Sequence, residues 1–405
     1  MALRRAADSL WRMGVRAAMI LFSALLALLA PAPDVQAAPA ASHLAADTEA
    51  RWVPFELTGN QIRFRTLLNG RWVDAILDTG VTDTAVSARF ARAAGLKPLV
   101  AGRADAIGGS VPLSWGAVDR VEVGGLVRTG GRIAIIDADP RVTGAAPVDL
   151  FVGADLLAAY ALEIDYDAQR FRLLSSGRMP FRGVTAPLRL AGPTGLYLSE
   201  LDIGGRRYRP VIVDTGDGSM VTLTSAAWRG TGAASGPVTT AIAYGLGGEV
   251  ESEVTILPAL RIESLPASEV ELRIEPDTGF SARKGAAGRV GGGLLRRHRV
   301  LLDPGAGRMI LAPAARGDWP VTRSTSGLMV SQRGDRLRVL HVMRGSPAAA
   351  EWQAGMEICA VDGAPIPAAY ATSPLASWST GAPGRTVRLR LCDGPERSLT
   401  LARFY

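Results

Sequence analysis

Histidine and cysteine are nearly absent from this chain: of its 405 residues, only His43, His298, His341, Cys359 and Cys392 could serve metal or nucleophile chemistry. Zinc fingers, iron–sulfur clusters and multi-histidine centres need more ligands than that and are excluded. A serine–histidine–acid mechanism lacks a positioned histidine, because His43 lies in the N-terminal leader, His298 follows two arginines and His341 sits in a strand-like run. Lysine occurs only at Lys97 and Lys284, so the net charge of +7 is almost wholly arginine. Those arginines are mostly dispersed, with Arg296, Arg297 and Arg299 in a tight group, and no long basic stripe alternates with aromatics. Nucleic-acid binding is therefore not expected. No apolar run reaches the roughly 20 residues of a membrane-spanning helix. Residues 288–293 are glycine-rich but lack the Gly-Lys-Ser/Thr ending of a phosphate loop. What the chain does have is 48% hydrophobic residues, 46 glycines and 25 prolines without a fixed period. That is enough for several cores, and it reads as many short strands and turns. Carboxylates are left to carry any chemistry.

The first 37 residues have the form of an export signal. Arg4, Arg5, Arg12 and Arg16 precede an apolar run at 17–30, and Val35-Gln36-Ala37 offers small side chains for cleavage after Ala37. No cysteine follows the run, so the bacterial lipoprotein pattern is missing. The mature protein is expected in a periplasm or otherwise exported. The alternative is an uncleaved segment anchoring it in the inner membrane, facing the periplasm. Residues 38–50 read as a flexible leader.

Beyond the leader the sequence repeats itself. Asp78-Thr79-Gly80 and Asp214-Thr215-Gly216 each follow an apolar stretch. Phe151-Val152-Gly153 and Arg289-Val290-Gly291 follow them, with Gly153 75 residues beyond Asp78 and Gly291 77 beyond Asp214. A double leucine comes next in each copy, then a strand-like run whose acid, Asp165 or Asp303, lies 12 residues past the glycine. Glycine-rich turns at Gly108-Gly109 and Gly247-Gly248 fall between these anchors. Asn69-Gly70, Gly124-Gly125 and Gly204-Gly205 read as hairpin turns. A short helix is expected over 88–94, capped by Ser87 and stopped by Gly95. The copies span 51–175 and 184–313.

Taken alone, an Asp-Thr-Gly triplet suits an ordinary strand end, with Asp accepting from nearby backbone N–H groups and Gly turning the chain. Two copies can meet on a pseudo-two-fold axis. Two carboxylates held that close do not both ionise at neutral pH; they share a proton and titrate as a unit.

These segments resemble retropepsin-like aspartic proteases: an apolar strand into Asp-Thr-Gly, then a hydrophobic-hydrophobic-Gly strand at 151–153 and 289–291. The resemblance implies a mainly β fold with two tandem retropepsin-like β-barrel lobes in one pseudo-two-fold bilobal unit. It implies an aspartic endopeptidase acting on peptides or proteins, with Asp78 and Asp214 activating a water and no cofactor or metal. Thr79 and Thr215 would lock the two loops, Gly80 and Gly216 would turn N–H groups toward the carboxylates, and Gly108, Gly109, Gly247 and Gly248 would form flaps. Three positions depart from the family pattern. Val81 and Asp217 stand where Ala or Ser is usual, and Arg289 stands where an apolar residue is usual. Asp217 would raise the pair's apparent pKa if it points inward. Two alternatives stay open: a non-catalytic peptide binder with degenerate lobes, and a site assembled from Asp78 of two chains.

After a linker-like stretch, residues 324–405 resemble a bacterial PDZ domain, an α/β module, through Gly327-Leu328-Met329-Val330, Ser346-Pro347-Ala348, Ala354-Gly355 and Val361-Asp362-Gly363. Short helices are expected after Ser346 and over 370–379. The resemblance implies that a partner's C-terminal segment adds as a strand beside Met329 and Val330, its carboxylate held by N–H groups near Gly327 and Leu328. Cys359 and Cys392 both fall here, either as a disulfide in an oxidising compartment or as two small core residues.

Overall fold

The strand that leads to each acidic triplet changes character along its length. In Arg71–Leu77 the first residues alternate between exposed and buried, and the last three, Ala75, Ile76 and Leu77, are all buried. Arg206–Asp214 does the same, ending in four buried residues. Each strand starts on a half-solvated sheet and finishes in the middle of the protein, which a continuous apolar run permits and an alternating one would not. The computed structural model describes residues 37–143, 147–178, 182–203, 205–231, 236–260, 268–317 and 320–405. The export signal and Gly204 lie outside these residues, apart from Ala37.

The described residues are mainly β. An eleven-stranded sheet runs from Ala41–Leu44 to Leu150–Val152, and an eight-stranded sheet from Arg189–Leu190 to Gly288–Gly291. Both repeat one pairing scheme. Arg71–Leu77 lies antiparallel to Gln61–Leu68 and parallel to Leu150–Val152, which is in turn antiparallel to Ala85–Ser87. Arg206–Asp214 lies antiparallel to Tyr197–Ile203 and parallel to Gly288–Gly291, which is antiparallel to Val221–Thr224. The repeat seen in sequence is thus a repeat of topology. The helix Ala88–Ala94 has Ser87 accepting from the N–H of Phe90 and Gly95 in the left-handed region; its counterpart Ser225–Arg229 is capped by Thr224.

A third sheet joins the two halves, in the order Val184–Pro187, Arg308–Pro313, His298–Asp303, Tyr160–Asp165, Arg170–Ser175, Val53–Pro54. Leu162 pairs with Leu302 and Ile164 with Val300 across the join. One face adds Leu162, Ile164, Val300 and Leu302 to the main core, and the other packs Ala161, Leu174, Leu301 and Ile310 together. Glu163 is fully buried at the join and binds Arg172 from the first half and Arg299 from the second. A buried carboxylate is tolerable only with such partners. The terminal acids of these strands serve turns, as when Asp303 accepts from Ser176, Gly177 and Ala306.

Residues 324–405 build a six-stranded sheet with its own core around Leu337, Val339, Ile358, Trp378 and Leu389. Cys359 and Cys392 are joined as a disulfide, with Cα atoms 5.0 Å apart.

Three expectations need correction. The stretch 38–50 is not a loose leader: Ala41–Leu44 pairs with Leu126–Thr129, and Thr48 is buried in a 3-10 turn. Alternation there is too short to announce a strand, and Gly125 and Gly131 make room for the chain to lie down. Residues 370–379 form 3-10 segments, Tyr370–Thr372 and Pro374–Thr380, because Pro374 has no N–H to continue an α-helix. The segment after Ser346 is a run of turns, with the N–H of Ala349 bonded to the carbonyl of Ser346.

Candidate active site

Two loops meet at the centre of the molecule, one from each half. The N–H of Thr79 donates to Oγ1 of Thr215 at 3.0 Å, and the N–H of Thr215 to Oγ1 of Thr79 at 3.0 Å. Each hydroxyl then donates across to the other half's strand, Thr79 to the carbonyl of Val213 at 2.8 Å and Thr215 to that of Leu77 at 2.7 Å. Both threonines are fully buried, so all four bonds form away from competing water.

This clasp sets the carboxyl groups. The N–H of Gly80 donates to Oδ1 of Asp78 at 3.0 Å, and that of Gly216 to Oδ1 of Asp214 at 2.9 Å. A Cβ on Gly80 would lie 2.3 Å from Cγ of Asp214, and one on Gly216 would lie 2.2 Å from Cγ of Asp78. Only glycine fits there, because each acid packs against the opposite loop's backbone. Asp78 and Asp214 therefore lie face to face across the two loops, each carboxyl group against the other loop's glycine, and two carboxyls this close do not both ionise readily. Burial pushes Asp78 up to about 6 and Asp214 well above the usual carboxylate range, the latter helped by the charges of Asp78 and Asp217.

Residues 65–156 match the family model described as aspartyl protease. The matched stretch contains the first acidic triplet and Phe151-Val152-Gly153, so it covers the first half of this arrangement and points to a peptidase. No curated protein matches the chain.

The pair lines a cleft of about 500 Å³. Two hairpin tips touch above it. The N–H of Gly247 donates to the carbonyl of Ile107 at 2.9 Å, and a Cβ on Gly108 would come within 2.5 Å of the carbonyl oxygen of Gly248. Ile107 packs with Leu196, Leu198 and Phe280 of the second half, and Leu246 packs with Ile76 and Phe151 of the first. Each tip is thus seated on the opposite half. Charged side chains add to this: Asp105, below the first tip, forms ion pairs with Arg283 and Lys284, and the guanidinium of Arg141 lies over the ring of Tyr244 beside the second.

Sequence reasoning missed these cross-half contacts. It also missed Asn60 and Gln61, whose side-chain amides donate to the carbonyls of Gly218 and Gly216 at 2.7 Å each. No short spacing signals them, since the partners lie more than 150 residues away. Asp155 was also unremarked; it accepts from the N–H and hydroxyl of Thr84 and pairs with Arg128, fixing the strand after the first triplet.

Gly327, Leu328, Met329 and Val330 lie far along the chain, at the start of a strand, Leu328–Arg333, that among the described residues is an edge paired with Arg336–Val342. The N–H of Gly327 donates to Ser324 Oγ at 2.9 Å and that of Leu328 to Ser326 Oγ at 3.1 Å. The two donors expected to hold a carboxylate are therefore already satisfied by neighbouring serines, which the sequence places close by without showing their direction. Met329 packs beside Met343, Tyr405, Ala241 and Val254.

Proposed function

We propose that the protein is an exported aspartic endopeptidase whose Asp78 and Asp214 act as one dyad. The observation that carries this reading is the placing of both acids against each other's loop, held by the Thr79–Thr215 clasp at the base of a roofed cleft. An extended peptide bound there would present a carbonyl to a water held by the pair. The ionised carboxylate takes a proton from the water as its oxygen attacks the carbonyl carbon. The protonated one polarises the carbonyl oxygen and later supplies a proton to the leaving amine. The water oxygen becomes part of the new carboxyl group, and no covalent enzyme intermediate forms. The glycine-tipped hairpins exclude bulk water while this happens.

The C-terminal PDZ-like module docks protein partners by strand addition at the Leu328–Arg333 edge. With the Gly327 and Leu328 donors satisfied internally, that docking rests on main-chain pairing rather than on capture of a terminal carboxylate. The N-terminal signal directs the protein to the periplasm or another exported location.

The test is hydrolysis of an unstructured protein and a peptide library by the purified chain across pH 3–8, alongside Asp78→Asn and Asp214→Asn. Loss of turnover by about 10³-fold or more in both variants is expected. A parent that cleaves nothing at any pH would leave the peptide-binder reading in its place.

A further inference from the structure

The two halves differ where they should be most alike. After the triplet the first half has Val81, and beneath it Phe151; the second has Asp217 and Arg289. Arg289 is buried, with Nε 2.5 Å from Oδ2 of Asp217 and Nη1 2.6 Å from Oε2 of Glu275. Glu275 also accepts from the N–H of Ser281 at 2.7 Å, and Asp217 from that of Ser219 at 2.8 Å. The N–H of Asp217 donates to Oδ1 of Asp214 at 3.0 Å, tying this cluster directly to the catalytic pair.

We propose that Asp217 and Arg289 form a positioning ion pair that makes the two acids non-equivalent, holding the shared proton on Asp214 and leaving Asp78 as the base that activates water. The inference rests on the peptidase reading and goes one step beyond it. Its physical content is a charge balance. Two carboxylates, Asp217 and Glu275, flank one guanidinium beside Asp214, whereas the apolar Val81 and Phe151 stand at the positions of Asp217 and Arg289 in the first half. Ionising Asp214 would place a further negative charge against an already acidic cluster in a low-dielectric site. The charge of Asp217 raises both acids, while that of Arg289 and the N–H of Asp217 lower Asp214. The other charged groups lining the cleft have partners of their own: Asp105 with Arg283 and Lys284, Arg141 with Asp139, Arg273 with Glu271. Asp83, on the first-half wall, is influenced by Arg128 and Arg132 as well as by Asp155. None of these replaces the Asp217–Arg289 pair beside Asp214.

The test compares pH profiles of kcat/KM for the parent, Asp217→Asn and Arg289→Gln, with Arg289→Lys as the charge-preserving control. Removing the Asp217 charge should let Asp214 lose its proton earlier, moving the alkaline limb down by about one pH unit. Removing the Arg289 charge should move that limb up by about as much. The lysine variant should stay near the parent, and the acid limb, set by Asp78, should move least. A purely structural pair would lower activity in both variants without driving the limbs apart. Alkaline limbs that stay fixed, or shift in the same direction, overturn the inference. Should Arg289→Gln fail to fold, the Asp217→Asn limb decides alone, down for and unchanged or up against. Cleavage that survives Asp78→Asn and Asp214→Asn overturns the Asp78–Asp214 dyad reading instead.

Discussion

A carboxyl pair held this deep costs the fold stability at neutral pH. The unfolded chain ionises Asp78 near its ordinary value of 3.8, while the folded chain holds the proton until about pH 6. Folding therefore takes up protons between these values, and stability falls as pH rises through that window. The shift from 3.8 to about 6 corresponds to roughly 3 kcal/mol of lost stability. Asp78→Asn removes the penalty, so it should be more stable than the parent at pH 7 by up to about that amount, with the gap closing at pH 3. Urea unfolding at both values checks this, and an Asn variant weaker than the parent at pH 7 would contradict it. At this scale the acids were legible because their triplets recur, and Arg289 was visible as a departure. Its partner Glu275 was not, because it reaches Arg289 from a neighbouring stretch of the sheet to which no motif points.

The hairpin strand Thr239–Gly245 shows how elements far apart in sequence fix the roof of the cleft. Oγ1 of Thr240 meets Nε2 of His341 at 2.8 Å and accepts the N–H of Arg344 at 3.1 Å, and Thr239 donates to the carbonyl of Arg344 at 2.8 Å. Arg344 also pairs with Glu253 on the returning strand, over a patch of Ala241, Val254, Met343 and Tyr405. The C-terminal module thus braces the hairpin that ends in Gly247. Thr240→Val keeps the shape of the side chain but strands the Arg344 N–H and the His341 ring nitrogen. Chemical denaturation should show a loss of about 1–3 kcal/mol. A change within about 0.5 kcal/mol, the range of an ordinary surface substitution, would mean the brace is idle. Sequence gave His341 no role, since nothing in its own strand distinguishes it from a surface residue. By contrast, the helix Ala88–Ala94 was readable to its caps because Ser87 and Gly95 act locally. The hairpin turns at Asn69-Gly70 and Gly124-Gly125 were readable for the same reason, with all four residues at positive φ.

Over the whole molecule, one chain supplies both halves of the site and then seals them together. The shared sheet pairs Tyr160–Asp165 with His298–Asp303, and Glu163 reaches an arginine from each half. The internal repeat announced two similar halves, because matching motifs at matching spacing survive in the letters. The seam between them was not announced, because strand order across a join depends on packing that no local pattern records. The fold makes the catalytic claim an intramolecular one: each chain carries one Asp78–Asp214 pair. The most direct test is kcat/KM for a cleavable peptide with Asp78→Asn, Asp214→Asn and an equimolar mixture of the two. The account predicts that all three are inactive, because neither chain can lend its intact loop to the other. Full activity in Asp214→Asn, or activity regained on mixing, would show that the working site forms between chains and would contradict it.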